Sequence, residues 1–309
     1  MHYFKHNDMD NLRSIMSSVR DDDVRLKRDT STQRRFIIAE GLYRSTGNLC
    51  PLTDIIALKN EFCYRVVLDE SLSFGCIGKS GKGVTEYFNV NREDIDMLII
   101  SMGSSLASVG GVSMGTREVV DHQRLSGPGY CFSASAPPFF SATALSALTI
   151  LQDQKKRDKL FSSLDRNIRT FHEQLAGISS LRVVTDTPTE SMTPSPVIHI
   201  ALNETNPKVA ATLAASGDGN TWDSQESILH SIVVESLRTG AGITMSVVQN
   251  EWIDEYLKSG SSIKPSIRIC VSSNLLVKDI KQAVKSIKNA TENNLETKRA
   301  LKSPKISRR

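Results

Sequence analysis

The chain has 309 residues, with 38 Lys and Arg against 34 Asp and Glu and a formal net charge of +4. That length allows one large α/β domain or two smaller ones with a buried core. Much of the charge lies in residues 298–309, where Lys298, Arg299, Lys302, Lys305, Arg308 and Arg309 have no acidic neighbour and no interleaved aromatic residue, so a solvated, disordered basic tail is expected rather than a nucleic-acid partner.

The five cysteines, at 50, 63, 76, 131 and 270, are odd in number and show no CxxC spacing, which argues against a zinc site and a disulfide framework. The opening MHYFKHNDMDNL has the pattern of neither a signal peptide nor an amphipathic transit peptide.

In chain order, Asn7 and Asp8 precede Met9, Leu12, Ile15, Met16 and Val19, spaced as one face of a capped helix. The charged stretch from Arg20 to Arg35 is expected to be a loop. Short apolar runs follow at 36–39, 64–68, 97–101 and 111–114, with Pro51, Ile55, Ile56, Leu58 and Phe62 marking a crossover helix between the first two. Near-continuous apolar strands separated by helices indicate a mostly parallel α/β sheet. Tyr3-Phe4-Lys5 reads as the end of another strand, so the sheet is expected to be incomplete, with neighbouring strands and an anchor missing upstream and an edge left open.

The uncharged run from Leu125 to Gln152 is long enough to raise the question of a membrane span. Pro128, Pro137 and Pro138 favour a turn followed by a buried helix instead. From Phe139 to Leu175 the apolar spacing predicts one long helix or a pair. Strands are expected at 181–184, 197–200, 243–247 and 267–271, with helices at 224–238 and 277–287, and loops at 185–196 and 203–223. This divides the chain into a partial large domain at 1–150, a linking helix with a small α+β domain at 151–297, and the tail.

Four segments carry more than secondary structure: AEGLYRSTGNLCPL (39–52), DESLSFGCIGKSGKGVTE (69–86), DIDMLIISMGSSLASVGG (94–111) and DHQRLSGPGYCFSASAPP (121–138). In this order and spacing they resemble the α-oxoamine synthases, fold-type-I pyridoxal-phosphate enzymes that condense an amino acid with an acyl-CoA. The likeness runs along nearly the whole chain. It is closest to a lysine-lacking subunit type within that family.

Pyridoxal phosphate requires an amine for its resting imine, a carboxylate on its pyridine nitrogen and donors around its phosphate. The resemblance places Asp69 as the pyridine acid, at the carboxyl end of a parallel strand where such sites are built. It places Ser104 where the lysine belongs, and a serine hydroxyl cannot form an imine. Leu72 stands for the family histidine, Ala134 for a phosphate-binding threonine, and Thr46 and Asn48 for the acids of a tight turn. Arg268 matches an arginine near the substrate carboxylate, although the histidine segment that usually follows is absent. Ser133 and Ser135 are candidates to reach a partner's phosphate across a dimer, with a turn role as the alternative.

Simpler readings stand beside these. Asp69 and Glu70 would also serve to cap the next turn. Gly75, Gly78, Gly81 and Gly83 with Lys79 and Lys82 mimic a phosphate loop, but the spacing fails and a flexible turn is expected. His122 and His199 are expected to be packed or hydrogen-bonded rather than catalytic.

The resemblance therefore implies a non-catalytic subunit that pairs with a lysine-bearing homologue, supporting condensation of L-serine with palmitoyl-CoA to 3-ketodihydrosphingosine on the partner's pyridoxal phosphate. It implies a place on the cytosolic face of the endoplasmic reticulum membrane. A homodimer recruiting Lys79 or Lys82, and a scaffold that never joins a synthase, are the alternatives.

Overall fold

The computed structural model describes residues 1–184, 195–215, 221–248 and 264–296. They fall into two compact units, Met1–Arg44 with Asn48–Lys159, and Ser45–Gly47 with the described residues from Leu160 onward. The basic tail lies outside the described residues, as do parts of the expected loops at 185–196 and 203–223.

The first unit is built on strands β1 (Phe36–Glu40), β2 (Arg65–Asp69), β3 (Met97–Ser101) and β4 (Gly111–Gly115), adjacent in that order. β1, β2 and β3 are parallel, as expected of a mostly parallel sheet, and β4 returns antiparallel to β3. The short connection at 102–110 explains that reversal, because a parallel return requires a crossover of a dozen residues or more. Ile37, Ala39, Val66, Leu68, Leu98 and Ile100 point to one face and are buried with Leu12 and Met16 of α1 (Met9–Arg25) and Leu52, Ile55 and Leu58 of α2 (Leu52–Phe62). On β1 the alternate residues Phe36 and Ile38 face outward and are exposed.

Two expectations for the N-terminal region are corrected. Tyr3-Phe4-Lys5 is not a strand: the Lys5 N–H donates to Asn11 Oδ1 at 2.9 Å and its carbonyl accepts from the Asp8 N–H at 3.0 Å, so these groups form the turn that enters α1. Asp8 caps that helix by accepting the Asn11 N–H at 2.8 Å. The helix runs on through the charged stretch to Arg25, since those charges find partners. Arg25 pairs with Asp22 at 2.6 Å, and Arg35 reaches the buried Asp23 at 2.6 and 2.8 Å.

Beyond β2 come the short α3 (Val84–Tyr87), then α4 (Arg117–Ser126), α5 (Pro128–Cys131), α6 (Pro138–Gln152) and α7 (Gln154–Leu175). The uncharged run is thus broken at its prolines into α5 and α6, and of α6 only Ala144 is fully buried. Among the described residues no helix is long and apolar enough to cross a membrane.

The second unit holds an antiparallel sheet, β5 (Leu181–Val183), β6 (Val197–Leu202), β8 (Ile267–Cys270) and β7 (Met245–Val247) in that spatial order. α8 (Pro207–Ala215), α9 (Trp222–Arg238) and α10 (Val277–Glu296) accompany it, with α10 packed on α9 and α8. Phe171, Ile200, Leu202, Leu229, Ile232 and Ile267 are completely buried. α8 falls where a loop is expected from sequence. Asn206 Oδ1 accepts the Lys208 N–H at 3.0 Å and Pro207 takes the first helical position, both favourable at a helix start.

Candidate functional site

Register places Glu40, Asp69 and Ile99 in one row across β1, β2 and β3, at the carboxyl end of the parallel strands. Asp69 is half-buried, and its Oδ1 accepts the Ser71 N–H at 2.8 Å. Its carbonyl accepts the Gly41 N–H at 2.7 Å, which closes the top of β1 onto β2. The carboxylate keeps acceptor capacity beyond that one bond, as a pyridine partner requires. Its bond to the Ser71 N–H matches the turn-capping reading.

Glu70 is the residue that sequence reasoning undervalued. Its side chain is completely buried and accepts the Val84 N–H at 3.0 Å, the Thr85 N–H at 3.2 Å and the Ser73 hydroxyl. Burial pushes its carboxyl above the ordinary range, and the Ser73 hydroxyl and the two N–H groups pull it part of the way back. A Cβ on Gly83 would lie 2.1 Å from a Glu70 oxygen, and one on Gly41 would lie 2.8 Å away, so two glycines make room for this acid. The Asp-Glu pair followed three residues later by Ser73 was the available signal, since a hydroxyl at that spacing can return to the acid.

The glycine turn after it is no phosphate cradle. Glu86 accepts the Ser80 N–H at 2.8 Å, the Ser80 hydroxyl at 2.7 Å and the Lys82 N–H at 3.2 Å, so its own carboxylate occupies the donors an anion would use. Burial raises this acid, but the Ser80 and Lys82 contacts outweigh it and hold the carboxyl below its ordinary value.

Ser104 sits in the β3–β4 turn with its side chain exposed, and its carbonyl accepts the Ala107 N–H at 3.3 Å. The Ser101 N–H donates to Ser71 Oγ at 2.9 Å, tying the start of this turn to the segment following Asp69. The structure thus brings the segments of Asp69 and Ser104 together. Ser133 and Ser135 lie exposed between α5 and α6, where the Ser133 hydroxyl donates to the Gly129 carbonyl. No described contact links either serine to Asp69 or Ser104. Thr46 and Asn48 are both buried, which uncharged side chains tolerate more readily than the acids the resemblance expects there.

In the second unit Arg268 is half-buried on β8, and its Nη2 donates to Ser246 Oγ at 3.1 Å. His199 is its register partner on β6, buried and 2.9 Å from Ser266 Oγ through Nδ1, which matches a packed histidine. His122 instead is exposed on α4. Among the described residues no group of three or more His, Cys, Asp or Glu could hold a metal.

The family model for class I and II aminotransferases matches residues 1–287. The chain belongs to that family. The family's pyridoxal-phosphate fold is borne out by solved structures: a serine palmitoyltransferase with pyridoxal phosphate superposes with a TM-score of 0.69 at 19% identity, over 94% of this chain and 61% of that one. An 8-amino-7-oxononanoate synthase from Francisella tularensis superposes with a TM-score of 0.64 at 19% identity, over 94% and 69%.

Sequence relatives from this family are more specific. Serine palmitoyltransferase 1 of Dictyostelium discoideum is 34% identical over 301 residues, 96% of this chain and 57% of that protein. Serine palmitoyltransferase 1 of Saccharomyces cerevisiae is 28% identical over 94% of this chain and 53% of its own length. Long chain base biosynthesis protein 1 of Arabidopsis thaliana is 35% identical over 66% of this chain and 40% of its own. The likeness read from the motifs is thus borne out, and the chain spans a little over half of the first two relatives.

The residues around Asp69 fit pyridoxal phosphate only in part. Asp69 suits the pyridine nitrogen, but the exposed Ser104 offers no amine, and the nearby turn has filled its donors with Glu86.

Proposed function

We propose that this chain is the non-catalytic subunit of a serine palmitoyltransferase, paired with a lysine-bearing homologous subunit. The complex condenses L-serine with palmitoyl-CoA, releasing CO2 and CoA, to give 3-ketodihydrosphingosine for sphingolipid synthesis. The observation that carries this reading is the exposed hydroxyl of Ser104 at the turn joined to the Asp69 segment: the frame is kept and the amine is not. The cofactor, an electron sink for reactions at an amino acid's α-carbon, is then held covalently by the partner. Arg268, Ser133 and Ser135 are proposed only as contributors to binding.

A partner is supported by the surface of the first unit. Leu125, Tyr130, Phe132, Phe139 and Leu145 are all exposed, with Phe132 at 90% and Leu125 at 80%. Large exposed apolar side chains concentrated in one stretch mark an interaction surface. The proposed location is the cytosolic face of the endoplasmic reticulum membrane, with attachment through segments other than the described helices or through partners.

The test is co-expression of a tagged copy with a lysine-bearing subunit from the same source, followed by pull-down and assay for serine-dependent condensation with palmitoyl-CoA. Co-purification with activity supports the subunit reading. Failure to retain the partner would favour a scaffold that does not join a synthase.

A further inference from the structure

Ser105, the residue after Ser104, makes the firmest link between the β3–β4 turn and the segment after Asp69. Its hydroxyl donates to the Phe74 carbonyl at 2.7 Å and lies 3.5 Å from Cys76 Sγ. A Cβ on Gly75 would fall 2.4 Å from Ser105 Cβ, and Gly75 has φ +76, so the facing turn is shaped to admit this side chain. Leu106, next along, is buried, which anchors the loop from the other side.

Both partners of this contact are themselves held. The Phe74 N–H donates to the Glu70 carbonyl at 2.8 Å, and Glu70 is fixed by its buried carboxylate. The loop closes on itself, with the Met102 N–H on Gly110 O at 2.9 Å and the Ser108 N–H on Met102 O at 2.8 Å. Ser108 Oγ then donates to Phe140 O at 2.7 Å, tying the far end of the loop to α6.

We infer that Ser105 is a positioning residue, which fixes the 102–110 loop against the turn after Asp69 through its bond to Phe74 and so replaces the tether that a lysine-bound cofactor would give at position 104. This rests on the reading of Ser104 as the lysine position. Leaving a half-buried carbonyl without its donor is unfavourable enough for this one contact to set the rate of local opening. The loop then keeps one shape with no cofactor on this chain.

Amide hydrogen exchange on the full 309-residue chain tests this, with pyridoxal phosphate added and after its removal by hydroxylamine. In the wild-type chain, exchange at Met102 and Ser108 is expected to be the same in both conditions. Ser105→Ala should speed it about five- to tenfold, the loss of one such bond, while Leu98 and Ile100 of β3 stay unchanged. Gly75→Ala, which displaces Ser105 from the other side, should give the same localised change.

Wild-type exchange in the loop that slows several-fold with pyridoxal phosphate would overturn the inference, because the cofactor would then hold the loop. So would Ser105→Ala exchange that stays at the wild-type rate or rises equally throughout the unit. These readings need no partner subunit. Failure of the pull-down and failure of this inference are therefore distinguishable.

Discussion

Glu40 and Asp69 are register partners on adjacent parallel strands, so two carboxyl groups stand side by side on one face of the sheet at its carboxyl edge. Partial desolvation against the sheet, and then the charge of Asp69, push the Glu40 carboxyl above its ordinary value of 4.5, while the Arg44 N–H and charge pull it back. Asp69 is the acid that the resemblance proposes for the pyridine nitrogen. Glu40 is the neighbour whose own charge is disfavoured there.

Replacing Glu40 by Gln should stabilise the chain at pH 7. An acid whose carboxyl is raised in the fold binds more protons folded than unfolded, so stability falls as pH rises from about 4.5 through the folded value. Above that window the penalty is fully present, and below it the penalty disappears. Thermal unfolding of the wild-type and Glu40→Gln chains should therefore diverge above the window, with the variant the more stable, and converge towards pH 4. The side chain is exposed at the sheet face, so the difference should be small. A variant that is less stable at pH 7 would mean that desolvation and the charge of Asp69 together do not penalise the ionised Glu40.

Glu70→Ala should cost roughly 2–4 kcal/mol, because it leaves the Val84 and Thr85 N–H groups and the Ser73 hydroxyl buried without an acceptor. Gly83→Ala should also destabilise, since its Cβ would enter the carboxylate and the residue has φ +86. The two effects should be less than additive, as the first substitution removes what the second collides with. Urea unfolding of both single variants and the double variant measures this coupling, and strict additivity would sink the account.

The frame was legible in the sequence because strand periodicity is local. The four strands of the first unit fall on the apolar runs, and the pair α6 and α7 starts at the Pro137-Pro138 break. α8 was not legible: its Asn206-Pro207 start lies in a stretch rich in Thr, Ser and Asn, where propensity reads loop. The length of α1 was missed because Asp23 meets Arg35 from twelve positions away, and a window along the helix does not show such pairing. At the site, spacing and resemblance singled out Asp69 and Ser104, whose segments the Ser101–Ser71 bond joins. The roles of Glu70 and Ser105 needed the fold, since their partners Val84 and Phe74 are brought to them only by tertiary structure.

Lys79→Ala combined with Lys82→Ala should leave condensation by the co-purified complex unchanged. Lys82 contributes its backbone N–H to Glu86, which any residue except proline would keep, and Lys79 is exposed on the same glycine turn. A recruited cofactor lysine would instead lose all activity on replacement. Serine-dependent product formation by the double variant separates the two, and abolished activity with the partner still bound would favour the alternative in which a lysine of this chain holds the cofactor.

The cysteines report on the packing beneath this site. Cys50 is completely buried, and burial, with the charge of Glu70 adding to it, pushes its thiol up to about 12. At pH 8 its thiolate fraction is on the order of one in ten thousand, besides being shielded from reagent. Burial also raises Cys76, though the Ser105 hydroxyl pulls it back, whereas Cys63, Cys131 and Cys270 are exposed. Brief iodoacetamide treatment at pH 8 with peptide mass spectrometry should therefore label Cys63, Cys131 and Cys270 first, Cys76 later, and Cys50 only after unfolding. Glu70→Ala removes the charge that helps to raise the Cys50 thiol and destabilises the fold around it, so it should speed Cys50 labelling without altering Cys63 or Cys270. Labelling of Cys50 in the native wild-type chain at the rate of the exposed thiols would show that this part of the core is not sealed from reagent.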